Sequence, residues 1–134
     1  MAIDKGMNET AFASQIEDLL KIFRWRYCHF RPAWSTKGWR TAIRGDKGFP
    51  DYVAVRNGMC LFIELKGDKG KLSPDQGEWA KELEAVAKNN LGVMYYQWHP
   101  SDFDRAMEVL KSEEVENKGI RADDRTRGRD YPGE

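Results

Sequence analysis

The chain reads as an α/β domain built in the order αβββαβα, with a central mixed four-stranded sheet flanked by helices, and three observations predict it. An Asn57-Gly58 pair separates Tyr52-Val53-Ala54-Val55 from Cys60-Leu61-Phe62-Ile63; this is the strongest short-range signal for a type I′ hairpin. Helical stripes flank the hairpin on either side, Phe12-Ile16-Leu19-Leu20-Phe23 before it and Trp79-Leu83-Val86 after it. One more strand pattern and one more helix pattern follow.

Taken in order, Asn8 can cap the first helix. Residues 25–30 alternate as an edge strand, and a long loop runs on through Lys47. After the hairpin, Ser73 begins a helix with Pro74 in its first turn, where a proline's missing N–H costs nothing. Gly92 to Trp98 supplies the fourth strand, apolar on both faces and expected near an edge, and Ser101 is placed to cap a last helix through Phe103, Ala106, Met107 and Leu110. Residues 1–111 are thus expected as one domain and residues 112–134 as a mobile charged tail.

Composition sets the frame. With 134 residues the chain is long enough for a single well-buried core. Its 22 basic and 22 acidic residues cancel, so net charge names no partner. No apolar run approaches a membrane span. Cys28 and Cys60 sit inside strand patterns, away from disulfide or metal spacings, and read as free buried thiols of a reducing cytoplasm.

The hairpin carries the chemistry. If Asn57-Gly58 is the turn, Arg56 faces Met59, Val55 faces Cys60, Val53 faces Phe62, and Asp51 lands opposite Glu64. Opposed residues have Cβ atoms about 5 Å apart, so a like-charged pair there needs something positive between. Lys66, two residues beyond Glu64, projects from the same face. Two carboxylates and an ammonium make an oxygen-rich patch suited to a hard divalent cation such as Mg²⁺. Taken singly, Pro50-Asp51 is an ordinary turn and Glu64-Leu65-Lys66 an ordinary strand end. In register, on a strand apolar on both faces, they point to a site, because an acid in a covered strand is rarely left unpaired.

These residues resemble the PD-(D/E)XK nuclease superfamily and, within it, the VRR-NUC branch of virus-type replication and repair nucleases. The likeness runs from about Asn8 to Leu110. It rests on Gly48-Phe49-Pro50-Asp51, Glu64-Leu65-Lys66-Gly67, the helix residues Glu9 and Phe12, the strand residues Tyr27 and His29, Ser73-Pro74-Asp75-Gln76, and Trp98-His99-Pro100-Ser101-Asp102. His99 stands where the branch often has arginine. The resemblance implies a restriction-endonuclease-like core and a Mg²⁺-dependent DNA endonuclease, with Mn²⁺ able to substitute. Asp51, Glu64 and the Leu65 backbone carbonyl would hold the ion, with Glu9 binding through water or holding a second one. Lys66 would act on the attacking hydroxide, and cleavage would leave a 5′-phosphate and a 3′-hydroxyl. It further implies a homodimer of Holliday junction resolvase type, acting on branched DNA in the cytoplasm of a bacterium or phage-infected cell.

The first helix offers two acids. Glu9 shares the stripe of Phe12, Ile16 and Leu19 and is expected to face the sheet, whereas Glu17 turns about 100° away from Ile16. A first-turn acid also suits the helix dipole, so Glu9 has two explanations. Gln76 has two as well: Ser73-x-x-Gln76 is a capping box, yet Gln76 heads the stripe that faces the sheet.

Between Arg24 and Lys47 lie seven basic residues against one acid, with aromatics interleaved. From this stretch His29, Arg31, Trp34, Lys37, Trp39, Arg40, Arg44 and Lys47 are candidate DNA contacts, cations for phosphates and indoles for base stacking; an alternating strand and a solvated loop explain part of it equally well. His29 is as readily a packed strand residue, and His99 is expected on the surface. Gly67 to Ser73 fails as a phosphate loop, because Leu65 and Leu72 occupy required positions; no nucleotide cofactor is expected. Neither histidine has a zinc-spaced partner. The competing class is a nucleic-acid-binding module without catalysis, or a nuclease-fold subunit of a phage or repair assembly.

Overall fold

A computed structural model describes residues 7–30, 33–36, 38–40 and 43–113, with backbone alone for 33–35 and 39–40. The elements are α1 (Glu9–Ile22), β1 (Arg26–His29), β2 (Ala33–Ser35), β3 (Gly38–Arg40), β4 (Tyr52–Arg56), β5 (Met59–Leu65), α2 (Pro74–Asn89), β6 (Val93–Trp98) and α3 (Phe103–Lys111). The main sheet has the order β1-β4-β5-β6, antiparallel except for β6, which runs parallel to β5. Parallel neighbours need a long crossover, and α2 supplies it. Among the described residues this is an α/β fold with a mixed four-stranded sheet and three α-helices.

The hairpin forms as its turn residues require. Asn57 and Gly58 both adopt positive φ, 49° and 81°, and the register pairs Arg56 with Met59, Val55 with Cys60 and Tyr52 with Ile63. One face of the sheet holds the core, where Tyr52, Ala54, Leu61 and Ile63 meet Phe12, Ile16 and Leu20 of α1 and Ala106 and Leu110 of α3. The opposite face of β5 carries Cys60, Phe62 and Glu64, and α2 packs on β6 beside it. Trp25 and Arg56 close the end of the sheet: Trp25 Nε1 donates to the Leu110 carbonyl at 2.8 Å, and the Arg56 guanidinium lies 4.3 Å from the Trp25 ring centroid.

Several expectations are corrected. The stretch after β1 is more than a loop, because β2 and β3 form a separate two-stranded ribbon in which Trp34 pairs with Trp39, with Gly38 at φ 103° in the reversal. Val86 is exposed; the buried residues of α2 are Ala80 and Leu83. Ser101 does not cap α3. Pro100 first opens a 3-10 turn, and Asp102 Oδ2 reaches back to accept the His99 N–H at 2.8 Å. His99 is more than a surface residue: its Nε2 donates to the Gly70 carbonyl at 2.8 Å, tying the end of β6 to the loop after β5. Both cysteines are free, but Cys28 is exposed and Cys60 only half-buried. Of the expected tail, Ser112 and Glu113 are fastened to the hairpin, through Arg56 to the Ser112 carbonyl and Asn57 to the Glu113 carboxylate; residues 114–134 lie outside the described residues. No helix among the described residues is long and apolar enough to cross a membrane.

Candidate active site

Asp51 is delivered by a tightly held approach. Gly48 adopts φ 97°, and a Cβ there would lie 2.6 Å from the Asp75 backbone, so glycine alone lets this segment pass the start of α2. Phe49 meets Phe30, Phe62 and Trp79 edge-on, with centroids 5.5, 5.9 and 4.9 Å away, and Trp79 Nε1 donates to the Asp46 carbonyl at 3.1 Å. Asp51 then docks at both ends: its carbonyl accepts the Phe30 N–H and its Oδ2 accepts the Leu65 N–H, each at 2.8 Å. Continuing the observed register one step past Tyr52–Ile63 sets Asp51 against Glu64.

Glu64 and Lys66 are nearly inaccessible, at 1% and 8%. Lys66 Nζ lies 3.3 Å from Glu64 Oε2 and donates to Gln76 Oε1 at 2.8 Å, while Gln76 Nε2 donates to Glu64 Oε2 at 3.2 Å. Both readings of Gln76 therefore hold at once. Its Oε1 also accepts the Ser73 N–H at 2.9 Å, closing the capping box, and the same amide bridges acid and lysine. The helix cap thus aims the side chain.

The acids repel one another. Burial, then the Asp51 charge, pushes the Glu64 carboxyl up to about 8, against the pull of Lys66. Burial also raises Asp51, against the Leu65 N–H and Lys66. Glu9 is raised by burial and by Asp51. One buried lysine does not offset the charge of Asp51 and Glu64 together, while Glu9 is exposed at the start of α1.

Glu9, Asp51 and Leu65 share a cavity of about 500 Å³ with Glu17, His29 and Tyr52. Here the expectation for Glu17 is overturned: it faces the sheet, and its carboxylate accepts from His29 Nδ1 at 2.9 Å, Tyr52 Oη at 2.5 Å and Tyr27 Oη at 3.4 Å. Measuring from Ile16 misleads, because the cavity lies to one side of the buried stripe. The i, i+4, i+8 series Glu9, Ala13, Glu17, which lines one wall, was the signal that could have found it. Burial pushes the Glu17 carboxyl up, but hydrogen bonds from Tyr52 and His29, with the attraction of His29, outweigh it and leave the pKa lowered.

Lys47 is exposed, 3.7 Å from Asp75, and Arg44 is exposed. Trp34, Trp39 and Arg40 belong to the β2–β3 ribbon, while Arg31 and Lys37 lie outside the described residues. A larger, open depression of about 800 Å³ lies at the far end of the sheet and is lined by Arg24, Arg26 and Arg56 with no acid, away from the carboxylates. No family model, curated protein or solved structure matches this chain.

Proposed function

We propose that the protein is a Mg²⁺-dependent endonuclease that hydrolyses phosphodiester bonds in DNA, on a restriction-endonuclease-like core of PD-(D/E)XK type. The observation that carries this reading is the convergence of Asp51, Glu64, Lys66 and Gln76 at one end of the β4–β5 pair, with Lys66 hydrogen-bonded between acid and amide.

The donor set fits a hard cation. Among the described residues no three His, Cys, Asp or Glu side chains are gathered at ion-holding distance; the set proposed is two carboxylates, Asp51 and Glu64, and the Leu65 carbonyl. In an extended strand the N–H and C=O of one residue point to the same side. Since the Leu65 N–H reaches Asp51, its carbonyl turns the same way. So small a protein set leaves the remaining positions to water and substrate, as Mg²⁺ prefers, and Mn²⁺ suits the same oxygens. When bound, such an ion supplies charge stabilisation at the phosphate and a more acidic water.

The chain's own residues do the rest. Lys66 carries donors only and cannot take a proton while charged, so its part is to stabilise charge growing on the phosphate oxygens and on the attacking hydroxide. Gln76 holds Lys66 in place, and Glu9 supplies further negative charge at the cavity wall. Branched DNA as substrate and a two-fold homodimer in the cytoplasm belong to the same reading; β6, at the sheet edge with Val93, Tyr95, Tyr96 and Gln97 only half-buried, is the surface that supports a dimer.

The deciding experiment incubates purified protein with supercoiled plasmid, linear duplex and a synthetic four-way junction in Mg²⁺, in Mn²⁺ and in chelator. Metal-dependent cleavage that Asp51→Asn abolishes is the expected result. Absence of cleavage with either metal on every substrate would overturn the proposal and favour a binding module.

A further inference from the structure

Beside Asp51, the cavity holds a second polar cluster that the ion-binding residues leave unused. Glu17, His29 and Tyr52 arrive from α1, β1 and β4. The Glu17 carboxylate accepts from both partners, and the His29 ring stacks on Tyr52 with centroids 4.1 Å apart and planes 16° apart. A surface ion pair is ordinarily held by neither stacking nor a second donor; here the imidazole is fixed in position and plane. A carboxylate only accepts, so Nδ1 carries a hydrogen, and in its neutral form the ring presents a bare lone pair at Nε2. Among the described residues Nε2 has no partner. The ring is 22% exposed and lines the same cavity as Asp51 and Glu9.

Attack on a phosphodiester needs a water whose lone pair is aimed at phosphorus, and aiming it takes a hydrogen-bond acceptor. Around Lys66, Asp51 Oδ2 accepts from the Leu65 N–H, Glu64 Oε2 meets Lys66 and Gln76, and Gln76 Oε1 accepts from Lys66 and the Ser73 N–H; the carboxylate oxygens that remain on Asp51 and Glu64 are the ones assigned to the ion. We propose that His29 orients the attacking water, accepting a hydrogen bond from it at Nε2, and that Glu17 and Tyr52 are positioning residues that fix the tautomer and plane of His29. The assignment rests on the nuclease reading and extends it from the ion and its lysine to the nucleophile.

Glu17→Gln tests it with little change of shape. The glutamine amide can offer N–H to Nδ1, moving the imidazole hydrogen to Nε2 and removing the acceptor. Nitrogen-15 spectra of His29 are expected to show the Nδ1–H tautomer in the wild type and a shift toward Nε2–H in Glu17→Gln, independently of any cleavage. On DNA, Glu17→Gln and His29→Ala are expected to lower kcat by about 100-fold, the loss that follows from a misplaced reactant, with KM and DNA affinity in chelator unchanged. His29→Gln, whose amide oxygen reaches the Nε2 position, should recover part of the rate, and Tyr52→Phe should fall between. Circular dichroism checks that each variant is folded. An Nε2–H tautomer in the wild type, or wild-type kcat in His29→Ala while the wild type cleaves, overturns this assignment and leaves the nuclease reading standing. A wild type that cuts nothing overturns both.

Discussion

Glu64 should be a destabilising residue, and replacing it should stabilise the fold while removing the activity. Its carboxyl is pushed from 4.5 to about 8 by burial and by Asp51, with Lys66 opposing. A raised folded value means that the folded state binds the proton more tightly than the unfolded chain. The associated stability is therefore complete below about pH 4.5 and is lost as pH climbs toward 8. Each pH unit across that window costs about 1.4 kcal/mol; after discounting for the charge shared with Asp51, the wild type should have lost about 2 to 3 kcal/mol by pH 7. Glutamine keeps the shape, can still meet Gln76 and Lys66, and has no charge to bury. Glu64→Gln should thus match the wild type near pH 4.5 and gain steadily above it, reaching about 2 to 3 kcal/mol at pH 7, or about 8 °C in Tm for a domain of this size. Thermal melts by circular dichroism from pH 4.5 to 8.5 in chelator measure this. Adding Mg²⁺ should raise the wild-type Tm and leave the variant unmoved, because a ligand that binds only the folded state stabilises it by mass action. A variant equal to or below the wild type at pH 7, or a difference independent of pH, would refute the reasoning.

Asp51→Asn should abolish cleavage without lowering Tm, since it removes one charge from a repelling pair; cleavage at the wild-type rate in Mg²⁺ would remove Asp51 from the site. Lys66→Ala should cut kcat by orders of magnitude with little change in affinity, whereas Arg44→Ala should weaken DNA binding and flatten its salt dependence by about one ion, both read from cleavage kinetics and a salt titration. Gly48→Ala should destabilise by about 2 to 4 kcal/mol, because the new Cβ meets the Asp75 backbone at 2.6 Å in a left-handed conformation, and its cleavage rate should fall as Asp51 shifts; a melt indistinguishable from the wild type would show that the segment relaxes. Light scattering at micromolar concentration should give twice the 15.5 kDa chain mass; a monomer that cuts junctions no better than duplex would remove the two-fold dimer and its branched substrate.

Local chemistry made the hairpin legible in the sequence. Asn57 and Gly58 can both take positive φ, strands alternate with a period of two, and from those facts alone the opposition of Asp51 and Glu64 and the shared face of Glu64 and Lys66 follow. The same holds for the caps at Asn8 and Ser73, where the side chain and its backbone partner are only three residues apart. What the sequence could not decide is how elements distant along the chain approach one another. Whether Gln76 closes its helix or meets Lys66 depended on where α2 sits against β5, and the packing of Phe49 against Trp79 and Phe62 makes it do both. Whether Glu17 faces water or the sheet depended on the rotation of α1 about its axis, which a stripe of apolar residues defines too coarsely to place a residue at its margin; Tyr52 and His29, contributed by two different strands, settle it. Residue types and short spacings thus determined the hairpin and the residues that meet in it. Only the tertiary structure gathered Glu17, His29 and Tyr52 into one cavity, because their contacts span 12 to 35 residues of chain and no local periodicity encodes them.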